Sequence, residues 1–152
     1  MRTSLLLIVS LAFAAATASP AMATEASDPT AWQAASTLTV RSSAYGRILF
    51  DSRGRALYAF TRDPRGRTVC NGACAAAWPP YVLRGRLQAG GPVKRSLLGT
   101  TRRTDGTRQV TYAGRPLYYY VNDRRPGEVR CQNVSGFGGL WLVMRANGRV
   151  VR

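Results

Sequence analysis

Two segments of the chain repeat the same chemistry at the same spacing. Tyr58-x-Phe60-x-x-Asp63 and Tyr118-x-Tyr120-x-x-Asp123 each bring together a phenol, a second aromatic ring and a carboxylate. Phenolate and carboxylate oxygens are hard ligands that suit ferric iron. The spacing argues against that use. Side chains on a strand alternate faces, so Tyr58 and Phe60 share one face while Asp63, five residues from Tyr58, points to the other. The same holds for Tyr118, Tyr120 and Asp123. The pattern therefore predicts a structural role, with Leu57 and Leu117 feeding one apolar face and the aromatic pairs packing the other. Asp63 and Asp123 are expected to cap the turns that follow them through their side-chain oxygens.

The cysteines are the next reactive group. Met1-Arg2-Thr3-Ser4, the uncharged apolar run from Leu5 to Ala18 and the small-residue pattern Ala21-x-Ala23 predict a signal peptide over residues 1–23. Cleavage near Ala23 implies a secreted or periplasmic chain with no transmembrane segment in its mature part. No cysteine lies near the cut, so this signal offers no site for a lipid. In that oxidising setting Cys70-x-x-x-Cys74 reads first as a structural disulfide closing a small loop. A redox-active pair is the sharper alternative, although its usual spacing is C-x-x-C. A two-thiolate metal clip without histidine is weaker still. Cys131 is the odd cysteine, and Cys70–Cys131 is the rival pairing because it falls almost at the repeat offset.

Composition removes other chemistries. The chain has 22 Lys+Arg, 7 Asp+Glu and no histidine, for a formal net charge of +15. Without histidine there is no His-ligated zinc, no Ser-His-Asp triad and no Cys-His nucleophile. No cofactor is expected. Lys94 is the one lysine, and the arginines are spread in ones and twos rather than gathered in a block. A field of this sign draws acidic polymers, so weak electrostatic binding to anionic polysaccharide, lipid headgroups or nucleic acid is expected. Arg124 and Arg125 are the candidate anion contacts. An outward ring of Tyr118-Tyr119-Tyr120 is a candidate stacking surface for bases or sugars.

The elements that must position these groups read as β. After a flexible leader over residues 24–36, short apolar segments alternate with turn signals every eight to twelve residues. Strands are expected at 37–41, 47–51, 56–62, 96–103, 107–112, 116–122, 140–145 and 149–151. Asn147-Gly148 suits a type I′ turn. Residues 71–77 give the one short helix, closed by Trp78-Pro79-Pro80, with the indole in the core. Gly136-Phe137-Gly138-Gly139 reads as a flexible or tightly turned approach to a strand rather than a phosphate cradle. Residues 54–63 and 114–123 match at an offset of 60, with Gly, Arg, Leu, Tyr and Asp coinciding. The expectation is a small, mainly β single domain over 37–152. It consists of two related antiparallel units, about 37–80 and 96–145, sharing one core.

These residues resemble the bacterial secreted-repeat lipoproteins, whose motif is Tyr-x-[Phe/Trp/Tyr]-x-x-Asp. Cys70-Asn71-Gly72-Ala73-Cys74 with Trp78-Pro79-Pro80, residues 109–114 and Gly136 to Trp141 extend the likeness over about 40–145. The resemblance implies an extracytoplasmic protein, often lipid-anchored, with no assigned activity. The chain departs from the pattern in lacking a lipobox cysteine and in carrying Cys131 where glycine is usual. The functional expectation is a secreted or envelope-associated non-enzymatic binding protein. The alternative is an extracytoplasmic redox or metal-handling accessory using the Cys70/Cys74 pair.

Overall fold

The computed structural model describes residues 35–152. The expected signal peptide and nearly all of the leader lie outside the described residues. Among the described residues nine strands form three small sheets. β1 (Ser36–Ser43) lies between β2 (Gly46–Asp51) and β4 (Leu87–Ala89). β9 (Gly139–Val143) lies between β3 (Tyr58–Phe60) and β8 (Val134–Gly136). β6 (Arg108–Tyr112) lies between β5 (Leu98–Arg102) and β7 (Arg115–Pro116). All strand pairs are antiparallel except β1–β4, which is parallel. Among the described residues the single α-helix, α1, spans Ala73–Ala77 and stops at Trp78, as the following prolines require.

Period-two alternation feeds two cores. Ile48, Phe50, Tyr58, Phe60, Trp141 and Val143 enter an aromatic-rich cluster, while Leu49, Leu57, Ala59 and Met144 enter a largely aliphatic one. The ends of β2 and β9 at Ile48–Asp51 and Trp141–Val143 and all of β3 are thus covered on both faces, which explains their unbroken burial. In the first cluster Trp141 is sandwiched between Phe60, with centroids 4.2 Å apart, and Trp78, 3.9 Å apart. Tyr120 continues the stack on Trp78, and Tyr58 and Tyr118 meet the indoles edge-on. Both repeats therefore build one aromatic column.

The two units are interleaved rather than placed side by side. Tyr58 and Tyr118 exchange backbone hydrogen bonds, each N–H donating to the other's carbonyl at 2.9 Å. The Leu49 N–H donates to Met144 of the second unit, and the Val110 N–H donates to Tyr81 of the first. Each unit is completed by a segment of the other.

Several expected elements are shorter or differently closed. The leader boundary falls earlier than expected, because Ser36 already belongs to β1, is buried and bonds Arg84 and Arg86. Only Tyr58–Phe60 of the expected 56–62 strand pairs regularly, since the chain turns at Thr61. The 116–122 segment contributes β7 and single bridges at Tyr118. Asn147-Gly148 is not a type I′ turn. Among the described residues only Ala113, Asn133 and Phe137 join the glycines at positive φ, so Asn147 keeps a negative one. The Gly148 N–H donates to the Arg145 carbonyl, giving a three-residue turn with the glycine as the bulge. Two-residue turns with both φ positive occur instead at Ala113-Gly114, joining β6 to β7, and at Phe137-Gly138, joining β8 to β9.

Candidate functional site

The repeated motifs meet at the junction of the two units. The Tyr58 hydroxyl donates to Asp123 Oδ2 and the Tyr118 hydroxyl to Asp63 Oδ2, both at 2.6 Å. Asp63 Oδ1 also accepts the Val69 N–H at 2.8 Å, and Asp123 Oδ1 accepts the Arg130 N–H at 3.0 Å. Each carboxylate thus closes a loop onto a residue six or seven positions ahead and reaches across to the other repeat. The spacing rule holds within one motif: neither Tyr bonds its own Asp. Burial pushes both phenols far above their ordinary value, and the neighbouring carboxylates push them further. Burial also raises both carboxyls, against the pull of the hydrogen bonds they accept.

A buried guanidinium extends this network. Arg103 donates to Gln109 Oε1, to the Cys70 carbonyl and to Asn71 Oδ1, and Thr68 bridges it to the Tyr118 hydroxyl. Cys70 and Cys74 are joined in a disulfide across α1 with Cα atoms 5.2 Å apart. Cys131 is a free, buried thiol. Burial pushes it up, while the Tyr120 hydroxyl beside it pulls it partly back. Tyr120, Asn122, Arg124, Arg130 and Cys131 line a hollow of about 400 Å³. Among the described residues no three metal-ligating side chains of the Cys, Asp, Glu or His type cluster.

The triple tyrosine leaves no bare ring. Tyr118 is buried, and Tyr120 is half-buried against Trp78. Tyr119 faces the other way, donating to Asp51 Oδ2 at 3.0 Å under the Arg55 guanidinium, 4.1 Å from its centroid. Asp51 and Tyr119 sit in a cleft with Pro79, Pro80 and Tyr81. Burial pushes the Tyr81 hydroxyl up to about 12.

Arg124 and Arg125 are exposed, and their backbone N–H groups both close on Glu128 Oε2. A denser convergence of cations lies elsewhere. Arg65, Arg115, Arg145, Arg149 and Arg152 line one open hollow of about 500 Å³. They come from the loop after the first motif, from β7 and from the end of the chain. Nothing in their spacing announces the meeting, because it depends on the first unit's loop reaching the β6–β7 turn of the second.

The family model for a secreted repeat of unknown function matches residues 39–81 and again 99–145. The chain belongs to that family. The two matched segments are the two interleaved units of this secreted-repeat chain, and each contains one tyrosine–aspartate motif. The motif pairing lies between the two matches rather than within either. No curated protein matches the chain, and no solved structure matches it. Among the described residues no helix is long and apolar enough to cross a membrane.

Proposed function

We propose that this secreted-repeat chain is a non-enzymatic binding protein, exported to the envelope or beyond, whose ligands are anions. One observation carries the reading: every described Asp and Glu side chain has a hydrogen-bond or ion-pair partner, while most of the described arginine side chains do not. Asp51, Asp63 and Asp123 are buried and hydrogen-bonded. Asp105 pairs with Arg103, and Glu128 with Arg130. The outward field is therefore almost purely cationic, the condition for drawing acidic polymers. With no histidine in the chain and the described carboxylates held in hydrogen bonds, no ready general base supports a hydrolytic reading.

The test is chromatography of the exported protein on immobilised sulfated polysaccharide. Retention at about 0.15 M salt, with affinity falling log-linearly as salt rises, is the expected result. Passage straight through at that ionic strength would reduce the arginines to a solvated surface and end the proposal.

A further inference from the structure

We infer that the hollow lined by Arg65, Arg115, Arg145, Arg149 and Arg152 binds a chain of closely spaced phosphate groups. The inference rests on the anion-binding reading above and gives it a place and a chemistry. Five arginines line a space of about 500 Å³, and no carboxylate side chain lines it. Arg65 Nη1 donates to the Ala113 carbonyl at 2.7 Å. Among the described residues the side chains of the other four have no hydrogen-bond or ion-pair partner. Four of the five are exposed, and Arg115 is half-buried.

The fold imposes this gathering of like charge. The Gly66 N–H donates to the Gly114 carbonyl at 2.7 Å, bringing Arg65 against the turn that carries Arg115. The Tyr112 hydroxyl donates to the Ala146 carbonyl at 2.6 Å and pins the Arg145–Arg149 turn to the same place. Gly148 makes that approach possible. Its φ is +82°, and a Cβ there would stand 2.7 Å from the Ala113 Cβ. Repulsion among the arginines is thus overcome by backbone and core contacts, leaving them around one hollow with no acidic side chain to neutralise them.

The lining selects the ligand. Guanidinium forks match pairs of phosphate oxygens and are weakly hydrated, so a phosphate can displace their water. The other lining residues are Asn147, Gly148 and Val150. No aromatic ring is present to stack a base, and a single valine offers no bed for an acyl chain. One monoanion would neutralise one arginine. A run of phosphates neutralises all five.

The experiment uses the mature full-length protein and an inorganic oligophosphate, titrated calorimetrically at several salt concentrations. Inorganic phosphate alone and a single-stranded oligonucleotide of equal charge serve as comparison probes. Arg145→Gln/Arg149→Gln is the hollow variant. Arg47→Gln/Arg86→Gln removes the same charge from exposed positions outside the hollow. The expected result is an oligophosphate affinity above that of the oligonucleotide. It should fall about tenfold in the hollow variant, with a salt slope shallower by about two, and change less than about twofold in the other pair. Melting curves of both variants establish that each is folded, and Arg152→Gln supplies an independent single change if the turn is disturbed. Equal losses in both double variants, or preference for the oligonucleotide, would overturn the phosphate hollow while leaving anion binding intact. Failure of the parent protein to bind any polyanion at about 0.15 M salt would remove both readings together.

Discussion

The hydroxyl of Tyr58 is held by Asp123, while Asp63 of its own motif holds Tyr118. Packing the units together with either partner removed would therefore leave a buried phenol without its acceptor or a buried carboxylate oxygen without its donor. Each unsatisfied buried group costs about 1–3 kcal/mol. The motif acts as a clasp that closes only when two copies meet, and the Tyr58–Tyr118 backbone exchange sets their register.

Double-mutant cycles test the clasp. Tyr58→Phe with Asp123→Ala, and Tyr118→Phe with Asp63→Ala, should each couple by about 1–3 kcal/mol in denaturant unfolding. The within-motif pair Tyr58→Phe with Asp63→Ala should be additive to within about 0.5 kcal/mol. Stronger coupling inside a motif than across the repeats would contradict the arrangement.

The same carboxylates give a pH signature. Burial raises Asp63 and Asp123 above the ordinary 3.8, so the folded chain holds these protons to higher pH than the unfolded one. Their contribution to stability is then fully present below the unfolded value and is lost as pH rises through the folded value. Glu128 has the opposite sign. Its hydrogen bond from Arg130 holds it at about 2, so its contribution is lost only on acidification. Because Glu128 is common to both proteins, comparing the parent with Asp63→Asn/Asp123→Asn isolates the buried pair. The parent's advantage in Tm should be larger near about pH 3.5 than near about pH 7. An advantage that shrinks on acidification would mean that hydrogen bonding outweighs burial at these sites.

The thiols should behave as a closed pair and a sequestered singleton. Peptide mapping without reduction should yield a Cys70–Cys74 fragment, and a Cys70–Cys131 fragment would contradict the structure. Cys131 is 7% exposed and its pKa is raised, so the folded protein should alkylate slowly and run as a monomer on a non-reducing gel. Removing the bridge as Cys70→Ala/Cys74→Ala opens only a short loop. The chain-entropy cost is about 2 kcal/mol, a fall in Tm of roughly 6–10 °C.

What the sequence reveals and what it hides divide along physical lines. Alternation in Ile48-Leu49-Phe50 and Leu57-Tyr58-Ala59-Phe60 exposes the two faces, because burial on each side selects residue type locally. The offset of 60 announces two related units, but nothing in it says that Asp123 serves Tyr58. That pairing depends on the relative placement of the units. Turn chemistry misleads once, since the geometry expected at Asn147-Gly148 is found at Ala113-Gly114 and Phe137-Gly138, where the hairpin register overrides the residue preference. β4 offers only Leu87 and Ala89 about Gln88, too short an alternation to announce a strand, and it is one because β1 offers it an edge. The five-arginine hollow is illegible for the same reason as the clasp: single arginines at 65, 115, 145, 149 and 152 become a cluster only in three dimensions.

The aromatic column offers the last test. Trp141 is fully buried between Phe60 and Trp78, and its Nε1 is buried with no hydrogen-bond partner among the described residues. Trp141→Ala removes the sandwiched ring from both neighbours and leaves a cavity, at a cost of about 3–5 kcal/mol. Trp141→Phe is a different change. It keeps one stacked ring between Phe60 and Trp78 and removes an N–H whose lack of an acceptor costs about 1–3 kcal/mol in the parent. That relief offsets part of the lost contact, so the phenylalanine variant should lose less than half of what the alanine variant loses. Urea unfolding of the two variants at matched pH measures the difference. A phenylalanine variant as unstable as the alanine one would mean that the indole N–H finds a partner after all, and that ring size alone sets the column.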